Sequence, residues 1–342
     1  MTDRKILVTG SQGYIGTELV RKLDNLGIQV TGIDAGFFQN SKIGDLSEPM
    51  SIRNDLRDQR TLNLRGFDTV IHLAALSNDP LGEIDKELTF SINRDSAISL
   101  ALKAKKQGVR IFIFVSTQSI YGISDSSREL TEESTKNPIT AYAKSKWEAE
   151  QEILGMSTED FISIAVRPST VFGWGSRIRN DIIFNNMISS GIRKGKIEVH
   201  TDGTPHRPVV HISDVIDFLM LLLNAPKNII RGEAYNLGRL NGNYTVREIA
   251  EAASRCLGDI PIEFNTEMLN DQRSYRVSFL KAKKDLGFVA SKDLEFGGAE
   301  ILDKFHNLKY LDRERYFSDT TRLNTLKRLI ELDKLRSDLS WI

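Results

Sequence analysis

Three glycines directly follow a short apolar run in the segment Lys5-Ile-Leu-Val-Thr-Gly10-Ser-Gln-Gly13-Tyr-Ile-Gly16. The run lacks a polar residue at every second position, as is typical of a strand that is buried on both faces. Residues 17–26 then carry apolar side chains at helical spacing. The segment therefore predicts a buried strand, a tight glycine turn and the beginning of a helix.

The same alternation continues through the first half of the chain. Apolar runs at 29–33, 69–75, 111–117 and 162–167 predict further strands, and the spacing in 96–107 and 141–154 predicts helices. This order predicts an α/β fold with a doubly wound parallel Rossmann sheet. After residue 173 the pattern becomes irregular, although 208–211 and 234–237 are expected to return to the sheet.

The composition excludes several classes of protein. The chain has 342 residues, with 46 Lys and Arg against 46 Asp and Glu. A net charge of zero gives no electrostatic attraction to nucleic acid or to an anionic membrane, so neither partner is expected. The single cysteine, Cys256, excludes an internal disulfide and a cysteine metal cluster, and no metal is expected. No apolar run is long enough for a secretory signal or a membrane span, which predicts a soluble, cytoplasmic protein.

The glycine trio suits a dinucleotide-binding turn. Glycine dihedrals let a diphosphate approach the backbone, and the N-terminus of the following helix attracts its charge. An ordinary loop is the alternative, but the flanking strand and helix favour the functional interpretation. Asp34 ends the second predicted strand, where a carboxylate can accept both ribose hydroxyls and repel a 2′-phosphate. We therefore expect NAD rather than NADP. The alternative for Asp34 is that it is only a turn residue.

Tyr142 and Lys146 stand four residues apart in a predicted helix, so their side chains share one face. An ammonium beside a phenol favours the phenolate and makes tyrosine a usable base. In isolation such a pair is more often a solvated surface pair. Here it follows a strand that ends in Ser116 and Thr117, and hydroxyls at the carboxyl end of a parallel strand face the ligand crevice.

These features form part of a longer set of motifs. The set comprises Gly10-Ser-Gln-Gly13-Tyr-Ile-Gly16, Asp55-Leu56, His72-Leu-Ala-Ala75, Val115-Ser-Thr-Gln-Ser-Ile-Tyr-Gly122 and Tyr142-Ala-Lys-Ser-Lys146. In this order and at this spacing, the motifs resemble the extended short-chain dehydrogenase/reductase family, in its branch of nucleotide-sugar epimerases and dehydratases. The resemblance covers residues 5–288.

The resemblance implies a role for each matching residue. The catalytic residues implied are Thr117, Tyr142 and Lys146. The cofactor-binding residues implied are Gly10, Gly13, Tyr14, Ile15, Gly16, Asp34, Asp55, Leu56, Leu73, Ala74, Ala75, Asn93, Tyr142, Lys146 and Arg167. The substrate-binding residues implied are Ser77, Thr117, Thr170, Arg177, Asn185, Arg207 and Arg273. The arginines suit a diphosphate, since a guanidinium matches phosphate oxygens, although a purely structural role is the alternative for Arg207 and Arg273.

Departures from the family pattern narrow the expected chemistry. Family dehydratases carry Asp-Glu directly after the catalytic Thr, whereas this chain has Gln118 and Ser119. An amide and an alcohol do not exchange protons near neutral pH. Members that decarboxylate, or epimerise next to a ketone, place Cys or Glu where Ser119 stands. Thr170 replaces an Asn of many epimerases, so the substrate is left open.

Simple redox at one sugar carbon, C4, is therefore the expected reaction. The leading hypothesis is an NAD-dependent nucleotide-sugar 4-epimerase or 4-dehydrogenase acting by hydride transfer. A 4-keto-sugar reductase that runs the same step backwards is the second hypothesis. A non-catalytic NAD-binding scaffold is the third, and the intact Thr, Tyr and Lys argue against it.

The resemblance also predicts how the chain is organised. Residues 1–172 and 208–238 are expected to form the NAD-binding Rossmann domain, and 173–207 and 239–342 a smaller, discontinuous substrate domain. The charged tail, 304–342, is interpreted as surface helices, with a disordered arm as the alternative. A homodimer is expected through the helices 96–107 and 141–154, whose residues Ile98, Leu102, Trp147 and Ile153 are available for a second apolar stripe.

Overall fold

A computed structural model describes residues 4–44, 51–77, 79–82, 85–124, 128–265 and 274–342. The strands are β1 (Lys5–Thr9), β2 (Gln29–Asp34), β3 (Ser51–Arg53), β4 (Thr69–His72), β5 (Ile111–Val115), β6 (Glu129–Leu130), β7 (Ile162–Pro168), β8 (Thr170–Phe172), β9 (Ile197–Val199), β10 (His206–His211), β11 (Ala234–Leu237), β12 (Asn243–Thr245), β13 (Ile262–Phe264) and β14 (Arg276–Val277).

The helices complete the inventory of regular structure. They are α1 (Tyr14–Asn25), α2 (Asp79–Gly82), α3 (Lys86–Phe90), α4 (Ser96–Lys106), α5 (Ala141–Gly155), α6 (Ile183–Lys194), α7 (Ile212–Asn224), α8 (Lys227–Ile230), α9 (Val246–Cys256), α10 (Leu280–Leu286), α11 (Leu294–His306), α12 (Tyr310–Ser318) and α13 (Arg322–Glu331). Within the described ranges, no helix combines the length and the apolar character that crossing a bilayer requires.

The central sheet confirms the predicted fold class. In the described part of the chain it has seven strands in the order β11-β7-β5-β4-β1-β2-β3, and each pair of neighbours is parallel. The carboxyl ends of the strands therefore meet at one edge, where the side chains that follow β1, β2, β4, β5 and β7 come together. The strand order reverses beside β1, which is where α/β sheets of this type bind their ligands.

The apolar runs lack alternation because both faces of the sheet are covered. Phe112 and Phe114 of β5 pack into one core cluster with helix α4. Ile111, Ile113 and Val115, the alternate residues of the same strand, pack into the other cluster with α1 and α7. Each face thus buries apolar side chains, and the sheet forms the rigid floor of the site.

The two segments expected to return to the sheet behave differently. Residues 234–237 form β11, which pairs with β7 at the edge of the central sheet. Residues 208–211 belong to β10, which pairs instead with β8 and β12 in a separate three-stranded sheet of the described chain. The expectation for 208–211 is therefore corrected. An apolar run shows that a strand is buried, but its partner depends on contacts distant in sequence.

The C-terminal tail contains helices α12 and α13 and packs against residues that follow β2 and β4. Its assignment to the substrate domain stays a prediction. Leu326, Leu335 and Leu339 are buried in one cluster with Leu76 and Leu88. The indole N–H of the penultimate residue of the chain donates a hydrogen bond of 2.7 Å to the carbonyl of residue 35, just beyond β2.

Truncation of Leu326 tests this placement of the tail. Leu326 is fully buried, and we expect Leu326→Ala to lower the free energy of unfolding by about 2–5 kcal/mol through lost transfer energy and a cavity. Leu332→Ala is the matched control because Leu332 is 53% exposed, and it should change the value by less than about 0.5 kcal/mol. Urea unfolding measures both. If both variants lower the free energy of unfolding by the same small amount, the packing of Leu326 in the core is contradicted.

Candidate active site

A cavity of about 620 Å³ lies at the carboxyl ends of the parallel strands. Its size is that of a typical ligand pocket. Residues of the glycine turn, of the strand ends and of α5 line it, together with Arg207 from the small three-stranded sheet. The cavity thus joins the Rossmann sheet to the second part of the chain.

Close backbone packing shapes the glycine turn. Gly10 has a φ of +71°, and a Cβ added there would lie 2.7 Å from the backbone nitrogen of Ala74. A Cβ on Gly16 would lie 2.0 Å from the carbonyl oxygen of Gly10. Helix α1 begins directly after Gly13, which provides no side-chain cap. The first N–H groups of α1 are therefore left for a ligand, as a diphosphate requires.

Asp34 lies at the end of β2, beside this turn. The backbone N–H of Gln12 donates to its Oδ2 (3.0 Å), and the N–H of Gly36 donates to its Oδ1 (2.7 Å). Burial raises the pKa of the carboxyl above its usual value, and the two N–H groups oppose that shift. The carboxylate is thus fixed at the cavity wall, where it can accept the hydroxyls of a ribose.

Most of the predicted cofactor-binding residues come together here. The glycine cradle, the bare helix N-terminus and the fixed carboxylate fit a dinucleotide. The predicted cofactor residues that line the cavity are Gly10, Gly13, Tyr14, Ile15, Gly16, Asp34, Asp55, Leu56, Leu73, Ala74, Ala75, Tyr142 and Lys146.

The predicted catalytic trio also meets at the cavity. Thr117 follows β5, and both Thr117 and Tyr142 line the cavity, where the Thr117 hydroxyl lies near enough to act on the phenol. Helix α5 begins one residue before Tyr142 because Thr140 caps it, accepting the N–H of Ala143 at 3.2 Å. The cap sets Tyr142 in the first turn, and Lys146 follows one turn later on the same face.

Burial controls the protonation of this trio. It raises the pKa of the Tyr142 phenol to about 12, and the hydrogen bond with Thr117 opposes the shift. It also lowers the pKa of the Lys146 ammonium, which lies 4.1 Å from the Phe114 ring centroid, to about 7. The expected acidic phenol is therefore not seen in the chain alone. Burial therefore keeps the phenol protonated near neutral pH and weakens the charged form of Lys146 in the chain without ligands.

The two residues after Thr117 line the cavity without an ionisable group. Gln118 donates from Nε2 to the carbonyls of Arg167 (2.9 Å) and Leu237 (3.3 Å), so its amide is tied to the ends of β7 and β11. Ser119 begins a short turn, and its backbone N–H donates to Oγ1 of Thr117 at 3.1 Å. Neither side chain can serve as an acid or base near neutral pH.

Three of the predicted substrate residues besides Thr117 line the cavity. They are Ser77, Thr170 and Arg207. Thr170 lies on β8 and Arg207 on β10, which are adjacent strands of the small sheet. Arg273 lies outside the described residues.

Arg167 occupies a different place from the one expected. Its Nε lies 3.0 Å from Oε1 of Glu150, and its Nη1 donates to the hydroxyl of Tyr121 at 3.0 Å. The side chains of Arg167 and Glu150 are only 3% and 0% exposed. The guanidinium therefore ties α5 to β7 and does not line the cavity, which corrects its assignment to the cofactor. Such a buried pair depends on both partners.

Three further predicted ligands lie outside the cavity wall and form hydrogen bonds with residues around it. Arg177 donates from Nη1 to the hydroxyl of Thr17 in α1 (2.8 Å). Asn185 accepts the N–H of Gly173 at 3.1 Å, and Asn93 accepts the N–H of Leu76 at 2.8 Å. All three side chains are buried. Among the described residues that line the cavity these three are absent, and their assignment as ligands stays a prediction.

The cavity wall also holds residues that the sequence analysis did not select. Arg179 donates from Nη1 to Oγ of Ser77 (2.8 Å) and forms an ion pair of 2.9 Å with Asp181. Tyr275 and Arg322 line the same cavity. Arg179 stands in the loop between β8 and α6. Arg322 lies in the tail, and no local motif marks it.

A parallel sheet with this glycine turn and this Thr-Tyr-Lys site defines an enzyme that uses a nicotinamide dinucleotide. Residues 6–238 match the model of the NAD dependent epimerase/dehydratase family. The chain belongs to that family, and NAD is its cofactor.

Individual relatives agree with this assignment. The chain is 29% identical to a UDP-glucose 4-epimerase of Lactobacillus helveticus over 83% of this chain and 91% of the relative. It is 28% identical to UDP-glucuronic acid decarboxylase 1 of Arabidopsis thaliana over 89% of this chain and 70% of the relative. The structure of MoeE5 in complex with UDP-glucuronic acid and NAD superposes with a TM-score of 0.75 at 28% identity, covering 86% of this chain and 97% of that one.

Substitution of Asp34 tests the cofactor preference. A carboxylate at the ribose repels a 2′-phosphate, so we expect NAD to bind at least about tenfold more tightly than NADP. Asp34→Ala should lower the ratio of the NADP dissociation constant to the NAD dissociation constant. Asp24→Ala, at an exposed position of α1, should leave this ratio unchanged. Calorimetric titration with both cofactors measures the ratio. Equal dissociation constants in the wild type would contradict the assignment of Asp34.

Proposed function

We propose that the protein is an NAD-dependent nucleotide-sugar epimerase or oxidoreductase that transfers a hydride at one sugar carbon, C4. One observation carries the proposal: Thr117 and Tyr142 line the cavity together, while Gln118 and Ser119 beside them offer no further acid or base. This arrangement supports removal of one hydroxyl proton. It does not supply the additional proton transfers of a dehydration.

Tyr142 is the proposed general base. It takes the proton of the reacting hydroxyl, and Thr117 hydrogen-bonds to the same oxygen and holds it in place. Because burial raises the pKa of the phenol to about 12, deprotonation requires a positive charge nearby. Arg179, which lines the cavity and lowers the pKa of Tyr142, supplies part of that charge.

Lys146 is the proposed ribose-binding residue of the nicotinamide half. Its side chain is 2% exposed and lies one helical turn after Tyr142, so a ligand that fills the cavity reaches both. When bound, NAD accepts the hydride and brings the positive charge of its oxidised ring. Lys146 thereby positions the cofactor beside the base.

The proposed substrate is a nucleotide-diphosphate sugar. Arg207 is 8% exposed and lines the cavity from the small sheet, where a guanidinium suits a diphosphate. Thr170 and Ser77 line the same cavity and offer hydroxyls for the sugar. The names of the relatives and of the superposed structure specify UDP-sugars, which supports this class.

A 4-dehydrogenase or a 4-keto-sugar reductase is the alternative, because Thr117, Tyr142 and Lys146 serve either direction of the same step. Cofactor retention separates the two classes. An epimerase must keep its reduced cofactor between half-reactions, whereas a dehydrogenase or reductase must exchange it.

A homodimer and a cytoplasmic location stay predictions. Of the residues considered for the dimer, Leu102 on α4 is 53% exposed and suits an interface. Ile153 is 0% exposed, so it is part of the core and is not available for a subunit contact. The proposed interface therefore rests on Leu102 and the other exposed positions of α4 and α5.

Removal of the Tyr142 hydroxyl tests the base. We expect Tyr142→Phe to lower kcat by about a hundred- to ten-thousand-fold with NAD binding preserved, since only the proton acceptor is lost. Tyr310→Phe is the matched control, because Tyr310 is 75% exposed, and its rate should equal that of the wild type. Steady-state kinetics with NAD titration measures both. A Tyr142→Phe enzyme as fast as the wild type would refute the role.

The mass of the product tests the reaction class. Incubation with UDP-, GDP-, CDP- and dTDP-sugars should give a product of unchanged mass if the reaction is epimerisation, or one that differs by two hydrogens if it is net redox. Mass spectrometry with NMR of the sugar distinguishes these cases. A product lighter by one water or one carbon dioxide would contradict the proposal, since Gln118 and Ser119 cannot supply the extra proton transfers.

A further inference from the structure

Helix α13 carries a buried arginine to the wall of the cavity. Arg322 is the first residue of this helix, is 2% exposed and lines the cavity with the glycine turn. Its Nη2 donates to the carbonyl of Arg177 at 2.8 Å, and its guanidinium lies 4.4 Å from the ring centroid of Phe38. Its Nη1 is enclosed and has no hydrogen-bond partner. A donor of this strength is thus held at the site without an acceptor.

The described charged groups near Arg322 do not pair with its guanidinium. The charged groups that act most strongly on it are the guanidinium groups of Arg177 and Arg179 and the carboxylates of Asp34 and Asp181. Asp181 forms an ion pair with Arg179 and accepts the backbone N–H of Arg322 at 3.2 Å, and Asp34 accepts backbone N–H groups. In the described part of the chain, no carboxylate lies within salt-bridge distance of the Arg322 guanidinium, so this buried cation has no direct counter-ion there.

Such an arrangement is costly unless a ligand completes it. A buried charge without a counter-ion loses its hydration and gains little in return. Burial and the neighbouring arginines accordingly lower the pKa of Arg322 to about 9. The cost is imposed by the fold, because Leu326 on the same helix and Leu339 beyond it are anchored in the core. Buried charged groups that the fold holds without a counter-ion are typical of binding sites.

The neighbours of Arg322 place it at the dinucleotide half of the cavity. Arg177, whose carbonyl it contacts, donates to Thr17 in the first turn of α1. Asp34, whose charge acts on it, accepts the N–H of Gln12 in the glycine turn. Arg207, the predicted ligand of the sugar nucleotide, is not among the charged groups that act most strongly on Arg322. The diphosphate of the cofactor is therefore a better match than that of the sugar nucleotide.

We propose that Arg322 is a cofactor-binding residue whose positive charge is neutralised by the diphosphate of NAD. The glycine turn and the α1 N-terminus supply backbone donors to that diphosphate, and the C-terminal helix adds the cation. The tail is thus part of the cofactor site. This inference depends on NAD binding and not on the proposed reaction at C4.

Titration of an Arg322→Gln variant tests the inference. Loss of a charge-assisted contact should raise the dissociation constants for NAD and for ADP-ribose by about ten- to a hundredfold. ADP-ribose carries the diphosphate without the nicotinamide, so an equal loss assigns the effect to the diphosphate half. The dissociation constant for UDP should not change. Arg328→Gln is the matched control, because Arg328 lies on the same helix with a side chain that is 69% exposed, and it should bind all three ligands like the wild type.

A second variant and a stability measurement separate binding from folding. Arg322→Met removes the charge but keeps much of the volume, and replacing a buried charge by an apolar group is often neutral for folding. Both variants should keep the melting temperature of the cofactor-free wild type and gain less stability from saturating NAD. NAD and ADP-ribose dissociation constants within twofold of the wild type would overturn the proposal, as would a loss confined to UDP. Failure of both variants to fold without cofactor would show a structural role and overturn it too.

Discussion

The site depends on the close approach of three backbone segments at the carboxyl end of β1. Gly10 touches the chain after β4, and Gly16 packs on the carbonyl of Gly10, so near that a Cβ at either position would overlap backbone atoms. This contact leaves the N-terminus of α1 bare and facing the cavity. The parallel sheet then brings Asp34, at the end of β2, and Thr117, just beyond β5, to the same edge.

Burial is the second constraint, and it determines what the trio can do. Desolvation keeps the Tyr142 phenol protonated and weakens the charged form of Lys146 in the chain alone, and the Arg322 guanidinium has no carboxylate within salt-bridge distance among the described residues. Oxidised NAD has both a cationic nicotinamide ring and a dianionic diphosphate. The ring can favour deprotonation of Tyr142, and the diphosphate can neutralise the arginine, so one ligand supplies both charges. The acid–base chemistry is therefore a property of the loaded site.

The sequence predicts those features that depend on local spacing. The parallel sheet, the glycine turn, Asp34 and the Tyr142–Lys146 pair follow from periodicity and from motifs whose geometry is set within a few residues. Prediction from the sequence fails where the partner of a side chain lies on a segment that is distant in sequence. Arg167 suits a diphosphate by its chemistry, but its guanidinium forms a buried ion pair with Glu150 on α5. Arg322 looks like surface charge in a charged tail, and only the packing of Leu326 brings it to the cavity.

Transfer of deuterium tests the central claim, hydride transfer from C4 to NAD, most directly. The enzyme is mixed with a nucleotide sugar deuterated at C4, the reaction is stopped within one turnover, and the released nicotinamide cofactor is examined by mass spectrometry and NMR. The account predicts deuterium at the hydride-accepting carbon of the reduced nicotinamide. Reduced cofactor without deuterium, or product formed with deuterium retained at C4 throughout and no cofactor reduction, would contradict it.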